Sequence, residues 1–507
     1  MNEQASPIAE QLRSAIGLHQ RGQVDQAQAI YEEILRTHSG HADALHLLSI
    51  IAYQRKQFGK AIELIDRAIM AGPENAVLYA NRGVALRHLK QLEAAIADYD
   101  KALALKPDYA EAYYNRGNAL RELKKPEAAI ADYGEAVALK TDYAEAYNNR
   151  GFALHELRES DAAIADFDKA ISLKPDYAEA YWNKAMISLL RGDFVTGFRL
   201  YEWRWKNPLL NMVPRRFAQP LWLGAEPLYG KRILLHSEQG LGDTIQFCRY
   251  APQVARAGGR VILQVPSPLV GLLKNLEGAS EVLAEGEPLP DFDYHCPLMS
   301  LPLAFETVVD SIPDPTPYIE ADSDKTRAWQ ERIGERKNLK VGVVWNGGFR
   351  PNQPEVWAVN ERRNIPLDMF AHALCDLDID FFSLQKGDPA ESEIRDRACE
   401  YWPRGNFYDF ASDIADFSDT AALVANLDLV VSVDTSTAHL AAALGKPTWI
   451  LNRFDACWRW LLDRDDSPWY RSVRLYRQDK GRNWEPVLER VAAGLTQLAN
   501  EHRGGRP

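Results

Sequence analysis

Two short stretches of this chain carry residue types that handle anions. The first is "HSEQGLGDTIQF", His236 to Phe247, which follows the apolar run "RILL". A strand that breaks into glycines, here Gly240 and Gly242, and restarts as a helix brings backbone N–H groups up to a phosphate. Asp243 lies in the middle of that cradle. A negative charge is out of place there if anion binding is the only task, and capping the helix is the plainer reading. The second stretch, "LDLVVSVDTSTAHLAAALGKP", reads as a strand, then Asp434, Thr435, Ser436 and Thr437, then a small-residue helix containing His439. One hydroxyl suffices to cap a helix, so three at its start point to a ligand anion as well.

The residues exclude some anion binders. A dinucleotide fingerprint needs a third glycine, where this chain has Ile245, and an acid about 20 residues on. After Asp243 the next acid is Glu277, and no Gly-Lys-Ser/Thr follows to make a P-loop. "DLDID" (Asp376 to Asp380) and "DFD" (Asp291 to Asp293) imitate a D-x-D metal motif. Each is expected to precede its strand, at the wrong end of a parallel sheet for a site, so neither a metal nor another cofactor is expected. Positive side chains and a helix dipole can supply the same electrostatics.

The elements that must position these loops are legible from about Gly230 onward. "KRILLHS", "GRVILQVP", "LKVGVVWNG", "IDFFSLQKG", "LDLVVSVD" and "KPTWILN" are apolar runs of strand length separated by helical stretches. Strands buried on both faces read this way, so the class is α/β with parallel sheets. The polar helix "DSDKTRAWQERIGERKN" from Asp322 divides two α/β halves. Each half offers a loop at the carboxyl ends of its strands, across a cleft.

The first two hundred residues repeat. "AVLYANRGVALRHLKQLEAAIADYDKALALKPDY" from Ala76 recurs in kind from Ala110 and Ala144, an offset of 34. Gly83, Gly117 and Gly151 share one phase, as do Ala95, Ala129 and Ala163, and Tyr99, Tyr133 and Phe167. Weaker copies begin near Ile8 and Ala42, and a degenerate one at Ala178 runs into "GFRLYEWRWKNP", an aromatic cluster suited to a domain seam. This resembles the tetratricopeptide repeat, two helices per unit stacked into a solenoid with a concave binding surface. The expected organisation is therefore a solenoid over 1–207, an α/β half over 208–325 and a donor-binding α/β half over 326–507. Asn81, Asn115, Asn149 and Asn183 recur on the first helix of four repeats. A ladder of amides can clamp a peptide backbone of any sequence, although asparagine is also a common consensus choice there.

A chain of 507 residues with net charge −12 is too long for one core and lacks the basic face of a general nucleic-acid binder. Its five cysteines show no C-x-x-C spacing, which argues against a disulfide framework or zinc site. With no secretory pattern at the start and no apolar run of membrane length, a cytoplasmic protein is expected.

The two loops together sharpen the reading. "EQGLGDTIQFCRY" and "VDTSTAHLAAALGKP" resemble the N-terminal and donor loops of the heptosyltransferase-like (ADP-heptose) family, and "SLQKGD" and "SPWYRSVRLYRQ" resemble bacterial proteins that join this module to tetratricopeptide repeats. The resemblance implies a GT-B double Rossmann-like module that transfers a sugar from a nucleotide-activated donor with inversion. It implies Asp243 as catalytic base, Asp434 on sugar hydroxyls, and the N–H groups of Thr435, Ser436 and Thr437 on the diphosphate with His439 nearby. Arg363 in "ERRNIP" would neutralise the leaving group where the family commonly has lysine, with Arg362 and Lys386 as further candidates. Glu391 would hold a ribose. The expected acceptor is a protein captured in the solenoid groove, such as flagellin or another surface protein. The alternatives are a non-catalytic scaffold that keeps a degenerate module, and a transferase acting on a glycan or lipid-linked sugar.

Overall fold

The computed structural model describes residues 7–313, 316–348 and 357–504. Two compact units make up the chain, Met1–Lys184 and Ala185–Pro507. The division falls inside helix Ala178–Leu190 and not at residue 207, because the aromatic segment after that helix packs with the second unit. Among the described residues no helix is long and apolar enough to cross a membrane.

The first unit is an all-helical tetratricopeptide solenoid, and its repeat phase has a steric cause. A Cβ on Gly83 would lie 2.7 Å from the Tyr99 ring, one on Gly117 2.8 Å from Tyr133, and one on Gly151 2.9 Å from Phe167. Each glycine thus admits a fully buried ring from the second helix of its own repeat. A charged register runs alongside. Arg82, Arg116 and Arg150 each grip a buried aspartate sixteen residues on, Asp98, Asp132 and Asp166, through two hydrogen bonds of 2.6–2.7 Å. Arg82 and Arg116 also reach back to Asp66 and Asp100 in the preceding repeat, at 2.6 and 2.5 Å. Lys184 reaches Asp168 in the same manner, whereas Gly134 stands where Arg150 would find its second acid.

The second unit holds two parallel sheets. The first comprises β1 (Arg232–His236), β2 (Arg260–Val265), β3 (Ala279–Ala284) and β4 (Tyr294–Pro297), ordered β3-β2-β1-β4. The second comprises β5 (Leu339–Val344), β6 (Ile379–Ser383), β7 (Phe407–Asp409), β8 (Leu429–Val433), β9 (Thr448–Asn452) and β10 (Val473–Arg477), ordered β10-β9-β8-β5-β6-β7. The six runs read from sequence are β1, β2, β5, β6, β8 and β9. The four strands without such a run, β3, β4, β7 and β10, are the edges of the two sheets. An edge strand is short or half-solvated, so it lacks a continuous apolar run.

Helix Ser323–Ile333, capped by Asp322, lies between the sheets in sequence. It packs as a whole with the second half, since Trp329 and Ile333 share a core with Phe382, Leu423 and Val430 and Lys325 pairs with Asp419 at 2.7 Å. A boundary at residue 325 would cut it. Helix Glu485–Gly504 covers the other face through Val487, Leu488, Val491 and Leu495. Both D-x-D look-alikes lie at the amino ends of their strands. Asp293 accepts from the Arg232 N–H at the start of β1, and Asp380 is the second residue of β6 and accepts from Asn338.

Among the cysteines, Cys248 and Cys296 are free and buried, and Cys375 and Cys457 are free and half-buried.

Candidate functional site

In both sheets the chain reverses direction of build beside the first strand, at β1/β4 and at β5/β8. Crevices form at such switch points, beyond the carboxyl ends of the strands. The two crevices share one cavity of about 540 Å³. The first half lends it residues 240–243 after β1. The second lends Asn346, Gly347 and Gly348 after β5, Gln385 and Lys386 after β6, residues 434–437 and His439 after β8, and Arg453, Cys457 and Arg459 after β9, with Arg363 closing one wall.

The β1 loop is tied down at both ends. Gly240 caps helix Leu241–Phe247, and its N–H donates to Asp243 Oδ2 at 2.9 Å, so the carboxylate does cap the helix. The other oxygen, Oδ1, accepts from Arg459 Nη2. Gly242 lines the cavity and also has a packing task. A Cβ there would stand 3.0 Å from His439 Cδ2 and 3.3 Å from Ser436 Cα, so this glycine lets the two loop helices touch.

The β8 loop uses one hydroxyl for capping. Thr435 Oγ1 accepts from the Ala438 N–H at 3.4 Å and sits 3.0 Å from Ser432 Oγ, while Ser436 and Thr437 line the cavity at the N-terminus of helix Ser436–Ala443. His439 is buried, stacked on Trp460 with centroids 5.3 Å apart, and its Nδ1 is 2.9 Å from Tyr470 Oη. Burial pushes its pKa down to about 4, against the pull of Asp434, whose Oδ1 lies 3.7 Å from Nε2. A neutral imidazole supports the loop and adds no charge to the cavity.

The cations come from several elements. Arg363 donates from Nη1 to the Asp434 carbonyl at 2.8 Å and from Nη2 to Asn360 Oδ1 at 2.5 Å. Lys386 Nζ donates to the Ala411 carbonyl at 2.6 Å and is half-exposed at the rim. Arg362 is directed away from the cavity lining and pairs with Asp455 at 2.9 Å. Glu391 also stands outside the lining; its carboxylate accepts from the Gly387 N–H at 2.8 Å and closes its own loop.

Arg453 and Arg459 were not legible as site residues. Their signal is positional: Arg453 follows "KPTWILN" directly and Arg459 stands six residues on, and every parallel strand in such a sheet delivers its next loop to the same edge. With Arg363 and Lys386 they set four cations against two carboxylates, Asp243 and Asp434, in the cavity wall. The arrangement suits a ligand carrying two or more negative charges.

The asparagines of the solenoid are half-buried, and most of them already have internal partners. Asn81 Nδ2 lies 2.8 Å from His46 Nε2, Asn149 donates to Tyr114 Oη at 3.1 Å and Asn118 Oδ1 at 2.8 Å, and Asn183 donates to Asn148 Oδ1 at 3.0 Å. These bonds join one repeat to the next.

Comparison with known proteins agrees with this division. Tetratricopeptide-repeat models match residues 18–81, 83–124, 117–157 and 144–177. The model of glycosyltransferase family 9 (heptosyltransferase) matches residues 383–451, which hold β7, β8 and the 434–437 loop. Protein FlbA of Caulobacter vibrioides is 29% identical over 343 residues, covering 62% of this chain and 54% of that protein, so the chain aligns with about half the length of this relative. Among solved structures, YrrB, a TPR protein described as having an unusual peptide-binding site, is 24% identical over 34% of this chain and 88% of its own, with a TM-score of 0.30. PilF of Pseudomonas aeruginosa is 20% identical over 39% of this chain and 90% of its own, with a TM-score of 0.37. The chain is thus a tetratricopeptide-repeat protein whose C-terminal region is glycosyltransferase-like.

Proposed function

We propose that the α/β unit is a GT-B glycosyltransferase that moves a sugar from a nucleoside diphosphate donor to a protein acceptor, with inversion and without a metal. The observation that carries this reading is the shared cavity, which sets the carboxylate of Asp243 from one half against the 434–437 loop and Arg363 of the other. Direct displacement at an anomeric carbon needs a carboxylate to accept the acceptor's proton on one side. It needs concentrated positive potential for the leaving diphosphate on the other. In this reading the N–H groups of Thr435, Ser436 and Thr437 and the guanidinium of Arg363 hold the diphosphate, with Lys386 at the rim, and Asp434 faces sugar hydroxyls. The solenoid supplies the acceptor, a flagellin or other surface protein, in the cytoplasm. Glu391, engaged in its own loop, holds the ribose only if that loop opens.

A second reading has a specific observation behind it. Both oxygens of Asp243 are already engaged, as expected of a purely structural residue in a non-catalytic sugar-nucleotide-binding scaffold.

One experiment separates the two. Nucleoside diphosphates are screened by thermal shift, and turnover is then compared with Asp243→Asn. A transferase keeps the shift in the variant and loses about 10²–10⁴-fold in turnover. A scaffold binds the diphosphate and turns over no donor in either form.

A further inference from the structure

Arg459 stands in a 3-10 turn, Trp458–Trp460, and is 8% exposed. Each arm of its guanidinium is committed. Nη2 pairs with Asp243 Oδ1, Nε donates to Gln246 Oε1 at 2.8 Å, and Nη1 donates to Cys457 Sγ at 3.1 Å. The Trp458 ring lies 4.5 Å from its Cζ and the Phe247 ring 5.9 Å. The side chain is therefore fixed in plane and in rotation before any ligand arrives. Its own charge is reinforced: burial opposes it, but the Asp243 carboxylate, the Cys457 thiol and Tyr201 together outweigh that cost and raise the pKa above the ordinary arginine value.

The consequence falls on Asp243. One carboxylate oxygen is pinned by Gly240 from its own half, the other by Arg459 from the opposite half. A carboxylate oxygen carries two lone pairs, so each pinned oxygen keeps one acceptor direction, and that direction is now set. Other ionisable groups in electrostatic reach of the carboxylate include His439, Glu238 and Tyr201. Of these, burial holds the His439 pKa near 4, so the imidazole is neutral near neutral pH, and a phenol carries no positive charge; Arg459 supplies a cation to Asp243.

We propose that Arg459 is the positioning residue of Asp243: it aims the carboxylate into the cavity. This rests on the reading of Asp243 as proton acceptor. Arginine is required because only a planar fork reaches Asp243, Gln246 and Cys457 together, whereas lysine offers a charge without the orientation.

The test compares donor KM and kcat for the wild type, Arg459→Lys, Gln246→Met, Asp243→Asn and Asp243→Asn/Arg459→Lys, with folding checked by near-UV circular dichroism. Gln246→Met loosens the guanidinium without touching Asp243 or the charge, and serves if the lysine variant fails to fold. The expected result is a kcat lower by about 10–100-fold in Arg459→Lys and by a smaller factor in Gln246→Met. Donor KM should stay within about twofold, and the double variant should lose no more than Asp243→Asn alone, as residues acting as one unit do. Normal kcat in both Arg459→Lys and Gln246→Met, with Asp243→Asn inactive, overturns the positioning role and leaves the transferase reading intact. A loss confined to donor KM overturns it too, by making Arg459 a donor ligand. Near-normal turnover in Asp243→Asn instead overturns the proton-acceptor reading itself.

Discussion

Arg363 lies across the face of Gly347, so that a Cβ on the glycine would overlap its Nη2. The same guanidinium holds the Asp434 carbonyl at 2.8 Å. The loop after β5 therefore shapes the loop after β8 through one missing side chain.

Gly347→Ala should displace Arg363 and slacken the 434–437 loop without disturbing either sheet. Losing one charge-assisted hydrogen bond costs about 1.5–3 kcal/mol, so affinity for a nucleoside diphosphate should fall by about tenfold or more. Calorimetric titration of both proteins checks this; equal affinities mean that Arg363 contributes nothing to holding the ligand.

Acid should act through His439. Its pKa is about 4 in the folded chain, below the ordinary histidine value of 6.5, because burial disfavours the cation. Between those values the unfolded chain binds the proton and the folded chain does not, so the stability due to a neutral His439 is lost as pH falls from 6.5 to 4. The cost is on the order of 3 kcal/mol. Glu238, pushed up to about 7 by burial against the pull of Arg204, works in the opposite sense over part of that window. The decisive measurement is therefore the difference between wild type and His439→Gln in urea unfolding at several pH values. It should narrow steadily toward pH 4; a constant gap would show that the imidazole does not titrate in this way.

The solenoid amides are unequal probes of partner binding. Asn149 ties two repeats together, so Asn149→Ala should lower the melting temperature of the repeat unit whether or not a partner exists. Asn115→Ala is the cleaner variant: it should leave melting within about 0.5 kcal/mol of the wild type, in keeping with substitutions away from structural networks. If the groove captures an extended protein, it should still weaken that capture several-fold in a pull-down with the co-purifying acceptor. Unchanged capture would reduce the ladder to repeat consensus.

Sequence carried the architecture far because its strongest signals come from complete burial. β1, β2, β5, β6, β8 and β9 read as apolar runs, and Gly83, Gly117 and Gly151 repeat because a ring fills the space beside each. Edge strands such as β3, with its exposed Ser280 and Glu281, leave no such trace. The loops after β1 and β8 were conspicuous because two glycines ahead of one acid, and three hydroxyls in a row, exceed what capping a helix needs. Arg459 was hidden for the opposite reason. An arginine beside two tryptophans has no local signature, and its partner Asp243 is more than two hundred residues away. Gly242 was legible as a glycine but not as a helix contact, since His439 and Ser436 meet it only in three dimensions.

The charged register of the solenoid makes its length editable. Each arginine grips one aspartate within its own repeat and, where one is present, another in the repeat before, always sixteen positions away. Removing residues 110–143 as a block would bring Asp100 opposite Arg150, whose own upstream place is held by Gly134. The join would complete a clamp that the present chain leaves half made. Gain or loss of whole repeats is thus compatible with the same ionic grammar, and the reach of the solenoid can change while every seam keeps its chemistry.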